Sequence, residues 1–238
     1  MGDNVRDNRL DDILSCHNLS LSFRSKVVWK DVNLSLPSGC VVGLIGLNGS
    51  GKTSFLRTLA GLQVPTSGRV TGSGYSGHPS IRHSVLLEHS TQLYPQVSCQ
   101  EMIEFYAGLL GARNSELDSV VQALQLAPVL GNRVDSLSQG YRTRLALVFP
   151  LLSPARVLLL DEIFNGLDVV AVELVKNVFK HEARNGRSIV VSSHQLDALD
   201  HVTDTFYVIH EQTIDFIRTA DMVGYRGLKS LIVPEDGL

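Results

Sequence analysis

Between Cys40 and Leu62 the chain reads CVVGLIGLNGSGKTSFLRTLAGL. Its first seven residues are apolar or glycine on both faces, the pattern of a strand covered on both sides in a parallel sheet. A glycine-rich turn follows, then a stretch over residues 51–61 with helical periodicity. Within it Gly46-Leu47-Asn48-Gly49-Ser50-Gly51-Lys52-Thr53 fits G-x-x-x-x-G-K-[ST], in the strand-to-helix context that this pattern requires. The glycines let the backbone wrap an anion, so that successive N–H groups and the positive end of the helix face phosphates. Lys52 is expected to reach the β and γ groups of a nucleotide, and the Thr53 hydroxyl to ligate Mg²⁺. The bland alternative, a glycine-rich turn that binds nothing, is disfavoured because motif and context agree.

Upstream of this unit, segments 16–23 and 27–36 alternate apolar and polar residues as half-buried antiparallel strands do, and Pro37-Ser38-Gly39 supplies a turn. Downstream, residues 98–152 read as helices. Ser98 with Glu101 makes a capping box, Ser115 is expected to open a second helix with Leu117, Val120, Val121 and Leu124 on one face, and a third begins at Ser138. Pro150 falls late in the third, where its missing N–H should end or kink it. Strand character returns at 156–160, 188–191 and 205–209, and the helix between the first two has Asp168 as N-cap and Gly186 as terminator. Buried strands alternating with helices mean a parallel α/β sheet. The expectation is one domain over 1–238, with a helical subdomain at about 98–152 and a tail, 223–238, too short for another domain.

Two further stretches carry chemistry. Val157-Leu158-Leu159-Leu160-Asp161-Glu162 puts two carboxylates at the C-terminal end of a buried strand, where ligands bind in open α/β sheets. Asp161 suits the Mg²⁺ shell, and Glu162 is placed to orient and deprotonate an attacking water; the alternative is an acidic pair that merely caps the next helix. His194 follows the apolar strand SIVVSS and so belongs at the same edge, within reach of a γ-phosphate. The other seven histidines form no metal-ligand pattern.

Composition narrows the class. The 238 residues carry a net charge of -3 without a Lys/Arg-rich block, which disfavours nucleic acid as a partner. Three widely spaced cysteines without a C-x-x-C pair suggest neither a disulfide framework nor a zinc site. The opening MGDNVRDNRLDD lacks the apolar core of a signal peptide, and the longest apolar stretch, Leu145 to Leu152, is far shorter than the ~20 residues of a membrane span. A cytoplasmic chain is expected.

The order phosphate loop, helical segment, LSQGY, Asp-Glu, NGLD and SSH resembles the ATP-binding cassette (ABC) ATPases, over about residues 15–215. The resemblance implies a P-loop NTPase parallel sheet core with an N-terminal antiparallel β subdomain and an inserted helical subdomain. It makes Gly46 to Thr53 the Walker A loop, Asp161 the Walker B acid, Glu162 the catalytic glutamate, Asn165 to Asp168 the D-loop and His194 the switch histidine, with Phe23 the aromatic on which adenine stacks. Ser138-Gln139-Gly140-Tyr141 stands at the family signature, usually Leu-Ser-Gly-Gly-Gln, with Arg144 as its trailing arginine. In the family that serine and helix N-terminus grip the γ-phosphate held by a second chain, so two chains sandwich two ATP molecules. Ser138 and Gly140, which do the gripping, are retained. The family's metal-contacting Q-loop glutamine is replaced: counting back from Leu93-Tyr94-Pro95 puts His89 there, with Glu88 and Gln92 as rivals.

The function implied is the ATPase subunit of an ABC transporter, driving a separate membrane permease and leaning to export on the look of LSQGYRTRL. One alternative is a non-transport cassette protein in translation or DNA maintenance, though such proteins generally join two cassettes or carry long coiled coils. Another is a phosphate-loop kinase or GTPase, but that has no use for LSQGY or His194.

Overall fold

The structure, a computed structural model, describes residues 12–72, 83–88, 93–194, 199, 202–203 and 205–218. The tail 223–238, His89 and Gln92 lie outside the described residues.

Two sheets share the core. Strands β1 (Asp12–Phe23), β2 (Lys26–Pro37) and β4 (Ser67–Gly72) form a three-stranded antiparallel sheet in the order β2-β1-β4. Strands β3 (Val41–Gly46), β5 (Ser84–Glu88), β6 (Val157–Asp161), β7 (Ser188–Ser192), β8 (Thr205–His210) and β9 (Thr213–Arg218) form a six-stranded sheet in the order β5-β6-β7-β3-β8-β9. The sheet is parallel from β5 to β8, and β9 turns back antiparallel on β8, so it is mixed at one edge. Helix α1 (Lys52–Leu59) follows the phosphate loop, and α2 (Cys99–Leu110), α3 (Asn114–Ala123) and α4 (Gln139–Leu152) make the helical segment. Helix α5 (Val169–Arg184) links β6 to β7.

Strands β3, β6 and β7 are buried at every residue, as their uninterrupted apolar runs require. Their side chains alternate between two apolar clusters. Val42, Leu44, Val157 and Leu159 join α1 and the antiparallel sheet, whereas Val41, Ile45, Leu158 and Leu160 join α2, α4 and α5. Trp29 of β2 and Tyr207 of β8 each meet Phe55 of α1 edge-on, with ring centroids 5.9 and 6.0 Å apart. The Tyr207 hydroxyl donates to the Ser35 carbonyl at 2.9 Å, which fixes the small sheet to the large one.

Helix boundaries follow local chemistry. Ser98 closes its capping box with Glu101, and the Asp168 side chain accepts from Ala171 N at 2.8 Å. The second helix opens one turn-position earlier than expected: Arg113 is its N-cap residue and Glu116 accepts the Arg113 N–H at 2.9 Å, so Ser115 lies inside the helix, where its carbonyl accepts from Ser119. Pro150 does not end α4 at once; the helix runs on to Leu152. Arg187, its side chain largely buried just before β7, takes up the freed helix-end carbonyls of Pro150, Leu151 and Ser153 at 2.8, 3.1 and 3.2 Å, and pairs with Glu182 at 3.0 Å.

Candidate functional site

The phosphate loop sits where β3 hands over to α1. Gly51 has φ +103°, outside the range of residues with a side chain, and a Cβ there would collide with Val28 Cγ1. Gly49, at φ +78°, has open space around it, so only its backbone conformation demands glycine. Ser50 N donates to the Leu47 carbonyl at 3.1 Å and closes the turn, while the Ser50 hydroxyl is buried with no hydrogen-bond partner among the described residues. Lys52, only 7% exposed, lies back over the loop and donates to the Gly46 and Leu47 carbonyls at 3.0 and 3.4 Å. An ammonium held on backbone carbonyls beside an orphaned buried hydroxyl and a helix N-terminus is a set of donors that fits a polyphosphate.

The two acids have different surroundings. Asp161, 8% exposed, accepts from Thr53 Oγ1 at 2.6 Å and from Ser192 Oγ at 2.5 Å. Thr53 and Asp161 thus present hydroxyl and carboxylate oxygens side by side, the hard donors Mg²⁺ prefers. Glu162 stands one residue on, in the left-handed region at φ +53°, a conformation costing a residue with a side chain about 1–2 kcal/mol. Ser192 Oγ accepts the Glu162 N–H at 2.9 Å and helps hold that turn. The turn points the Glu162 carboxylate at two cations or cation-formers: Oε1 lies 3.5 Å from Lys52 Nζ and Oε2 lies 2.9 Å from His194 Nδ1. Lys52, Thr53, Asp161, Glu162 and His194, from three separate stretches of sequence, therefore meet at the C-terminal edge of the sheet.

An open groove runs from this cluster along the phosphate loop to Phe23, Lys26 and Val28 of the β1–β2 hairpin, with Leu47 and Asn48 between. Phe23 is 54% exposed at the hairpin tip, a ring free to stack on a flat ligand. Ser138 and Gly140 are not among the described residues lining this groove. Ser138 caps α4, its Oγ accepting from Tyr141 N at 3.4 Å, and it is exposed to solvent. Arg144 lies 3.9 Å over the centre of the Tyr141 ring and donates to the Gly140 carbonyl at 3.4 Å, bracing the turn where this chain departs from the usual signature. Gly166 packs against Gln139, so the NGLD loop abuts the start of α4.

Of the three alternatives for the Q-loop position, Glu88 is taken up by Arg57, whose Nε and Nη2 engage its two carboxylate oxygens. Two features carried too little signal to be read from the sequence. Ser192 is the last residue of an apolar strand, and its service to both Asp161 and Glu162 depends on β7 lying beside β6. The Arg57–Glu88 pair joins residues 31 apart with nothing local to connect them.

The ABC transporter family model matches residues 29–165, and an AAA-domain model matches residues 133–200. A lantibiotic transport ATP-binding protein, SrtF of Streptococcus pyogenes, is 28% identical over 203 residues, covering 85% of this chain and 89% of the relative. The cytochrome c biogenesis ATP-binding export protein CcmA of Wolbachia pipientis is 33% identical over 186 residues, covering 76% and 89%. Among solved structures, a nucleotide-free ATP-binding cassette from an ABC transporter superposes with a TM-score of 0.77 at 18% identity over 92% of this chain and 94% of that one.

Proposed function

The chain belongs to the ABC transporter family as its ATP-hydrolysing, nucleotide-binding subunit, and on that premise we propose that two cassette chains close around two ATP molecules and so drive a separate membrane permease. The single observation that carries the reading is the meeting of Lys52, Thr53, Asp161, Glu162 and His194 at one sheet edge, while Ser138 is exposed to solvent and is not among the described residues lining the groove. One chain then holds the loop for one nucleotide and offers its α4 N-terminus to the nucleotide of the other.

Within the site each residue has one task. Phe23 stacks on adenine. The amides of Gly46 to Thr53 and the Ser50 hydroxyl bind phosphate oxygens, and Lys52 exchanges the Gly46 and Leu47 carbonyls for the β and γ groups. Thr53 and Asp161 would hold Mg²⁺, which would supply charge neutralisation at the phosphates. Lys52, once drawn to phosphate, releases Glu162, whose carboxylate takes the proton of the attacking water. His194, on the other oxygen of Glu162, keeps that carboxylate aimed and contacts the γ-phosphate. Ser138 and Gly140 at the α4 N-terminus grip the γ-phosphate from the second chain, with Asp168 and the rest of the D-loop alongside.

Among the described residues no helix is long and apolar enough to cross a membrane, so we place the chain on the cytoplasmic face through the permease. Export is the direction we favour, since relatives are named for lantibiotic transport and for export; no finding favours the non-transport alternative. The test is light scattering after gel filtration on Glu162→Gln, with and without ATP and Mg²⁺. An ATP-dependent shift from monomer to dimer, lost when Ser138 is also changed to arginine, is the expected result. A variant that binds ATP yet stays monomeric in every nucleotide state would sink the homodimeric form of the sandwich.

A further inference from the structure

The acidic edge of the sheet carries a third carboxylate. Glu88, the last residue of β5, is the register partner of Asp161 at the end of β6. In a parallel pair such residues project to the same face. Helix α1 lies over both, and its Thr53 and Arg57, four residues apart and hence on one side of the helix, each take one of them. Thr53 Oγ1 donates to Asp161 at 2.6 Å, and Arg57 donates through Nε and, at 2.9 Å, Nη2 to the two oxygens of Glu88. Helix and strand pair are thus joined by two neighbouring rungs, one at the proposed metal oxygens and one beside them.

The second rung contributes little to holding the fold. Arg57 is 49% exposed and Glu88 29%, and partly solvated ion pairs of this kind are weak contributors to stability. Its placement matters more. Without Arg57, Glu88 would stand as a free carboxylate next to Asp161 and Glu162, adding a hard oxygen donor and a unit of negative charge where Mg²⁺ is to bind with ATP. A fork-shaped guanidinium that engages both oxygens takes a lone pair on each and sets its positive charge against them, which disfavours a metal at Glu88.

We propose that Arg57 is a positioning residue that keeps Glu88 out of the magnesium shell, so that Thr53 and Asp161 set metal affinity at this edge. The inference rests on the site roles given above and concerns a pair to which those roles assign nothing. Sequestration makes a prediction that a simple strut does not: removing the arginine alone tightens the metal, and removing the glutamate as well undoes the effect.

The experiment measures ATP binding by equilibrium dialysis across a MgCl₂ series, on the intact chain, for wild type, Arg57→Gln, Glu88→Gln and the double variant. The expected result is a half-saturating magnesium concentration about three- to tenfold lower in Arg57→Gln, and a return to within about twofold of wild type in the double variant. Glu88→Gln alone should resemble wild type. An unchanged Arg57→Gln, a double variant shifted as far as Arg57→Gln, or a wild type with no magnesium dependence each overturns the proposal. Should Arg57→Gln fold poorly, Arg57→Lys, which keeps the charge but not the fork, is expected to fall between. Failure of wild type to bind ATP at any magnesium concentration is a different outcome and strikes at the site itself.

Discussion

His194 Nδ1 lies 2.9 Å from Glu162 Oε2, while the other oxygen of the same carboxylate faces Lys52 Nζ at 3.5 Å. On the proposed reading, Glu162 is held between a group that leaves it when phosphate arrives and one that stays.

That arrangement separates binding from chemistry. Glu162→Gln should lower kcat by about two to four orders of magnitude, the range for loss of a general base, with ATP affinity nearly unchanged. His194→Ala should also act on kcat more than on KM, by about ten- to a hundredfold, because it positions the carboxylate without holding the nucleotide alone. Steady-state hydrolysis set beside equilibrium ATP binding checks both, and a loss confined to KM would contradict the assignment.

Ser192, fully buried, donates to Asp161 and accepts from Glu162 N. Ser192→Ala leaves the Glu162 N–H without its acceptor in the left-handed turn. Urea unfolding should report a loss of about 1–3 kcal/mol, and kcat should fall at saturating magnesium.

The glycines of the phosphate loop should separate by mechanism. Gly49→Ala meets only the conformational cost of a positive φ, about 1 kcal/mol. Gly51→Ala adds a collision with Val28 and a close approach to the Trp29 ring, 3.3 Å from its Cδ1, so the loop must move. Thermal melting with and without ATP should show Gly49→Ala modestly destabilised and Gly51→Ala without a nucleotide-induced shift.

Arg187 holds three carbonyls at the end of α4, together with Glu182 and the Ala155 carbonyl at 2.9 Å. Burial lowers its pKa, which leaves the charge dependent on these partners. Arg187→Met keeps much of the volume but strands Glu182 and the helix end, and should cost about 2–5 kcal/mol by denaturant titration.

Burial pushes the Cys16 thiol up to about 12 and the Cys40 thiol up to about 11. Neither should react with a thiol reagent at pH 8 until the protein unfolds. A thiol whose pKa is higher in the folded chain than in the unfolded one contributes stability that is complete below about 9 and is lost as pH rises through the folded value. Unfolding midpoints should therefore fall from about pH 9 upward, and Cys16→Ala should flatten that fall.

How far the fold was legible depends on whether the signal was local. The alternation in β1 and β2, the unbroken apolar runs of β3, β6 and β7, and the caps at Ser98, Ser138 and Asp168 each declare an element from neighbouring residues alone. Strand β4, SGRVTG, has two glycines and no alternation, and it exists because β1 offers it an antiparallel partner. Strand β9 likewise forms on β8 through a hairpin whose turn residues, Glu211 and Gln212, have positive φ without any glycine to announce it. In the site, motif spacing brought Lys52, Asp161, Glu162 and His194 to one edge, because strand ends in a parallel sheet share an edge. It could not show that Glu162 leans on Lys52, that Ser192 serves both acids, or that Arg57 occupies Glu88, since those are facts of tertiary approach.

Strand β3, which carries the phosphate loop, has β7 on one side and β8 on the other, pairing Val42 with Val190 and with Thr205. The loop is complete by residue 53, yet its supporting strand is flanked on one side only, by β7, until the residues of β8 can dock. During translation, then, a nascent chain exposes the motif long before it owns a working pocket. Closure of the sheet around the loop must wait until β8 has left the ribosome, so the phosphate site is assembled well after its motif has emerged.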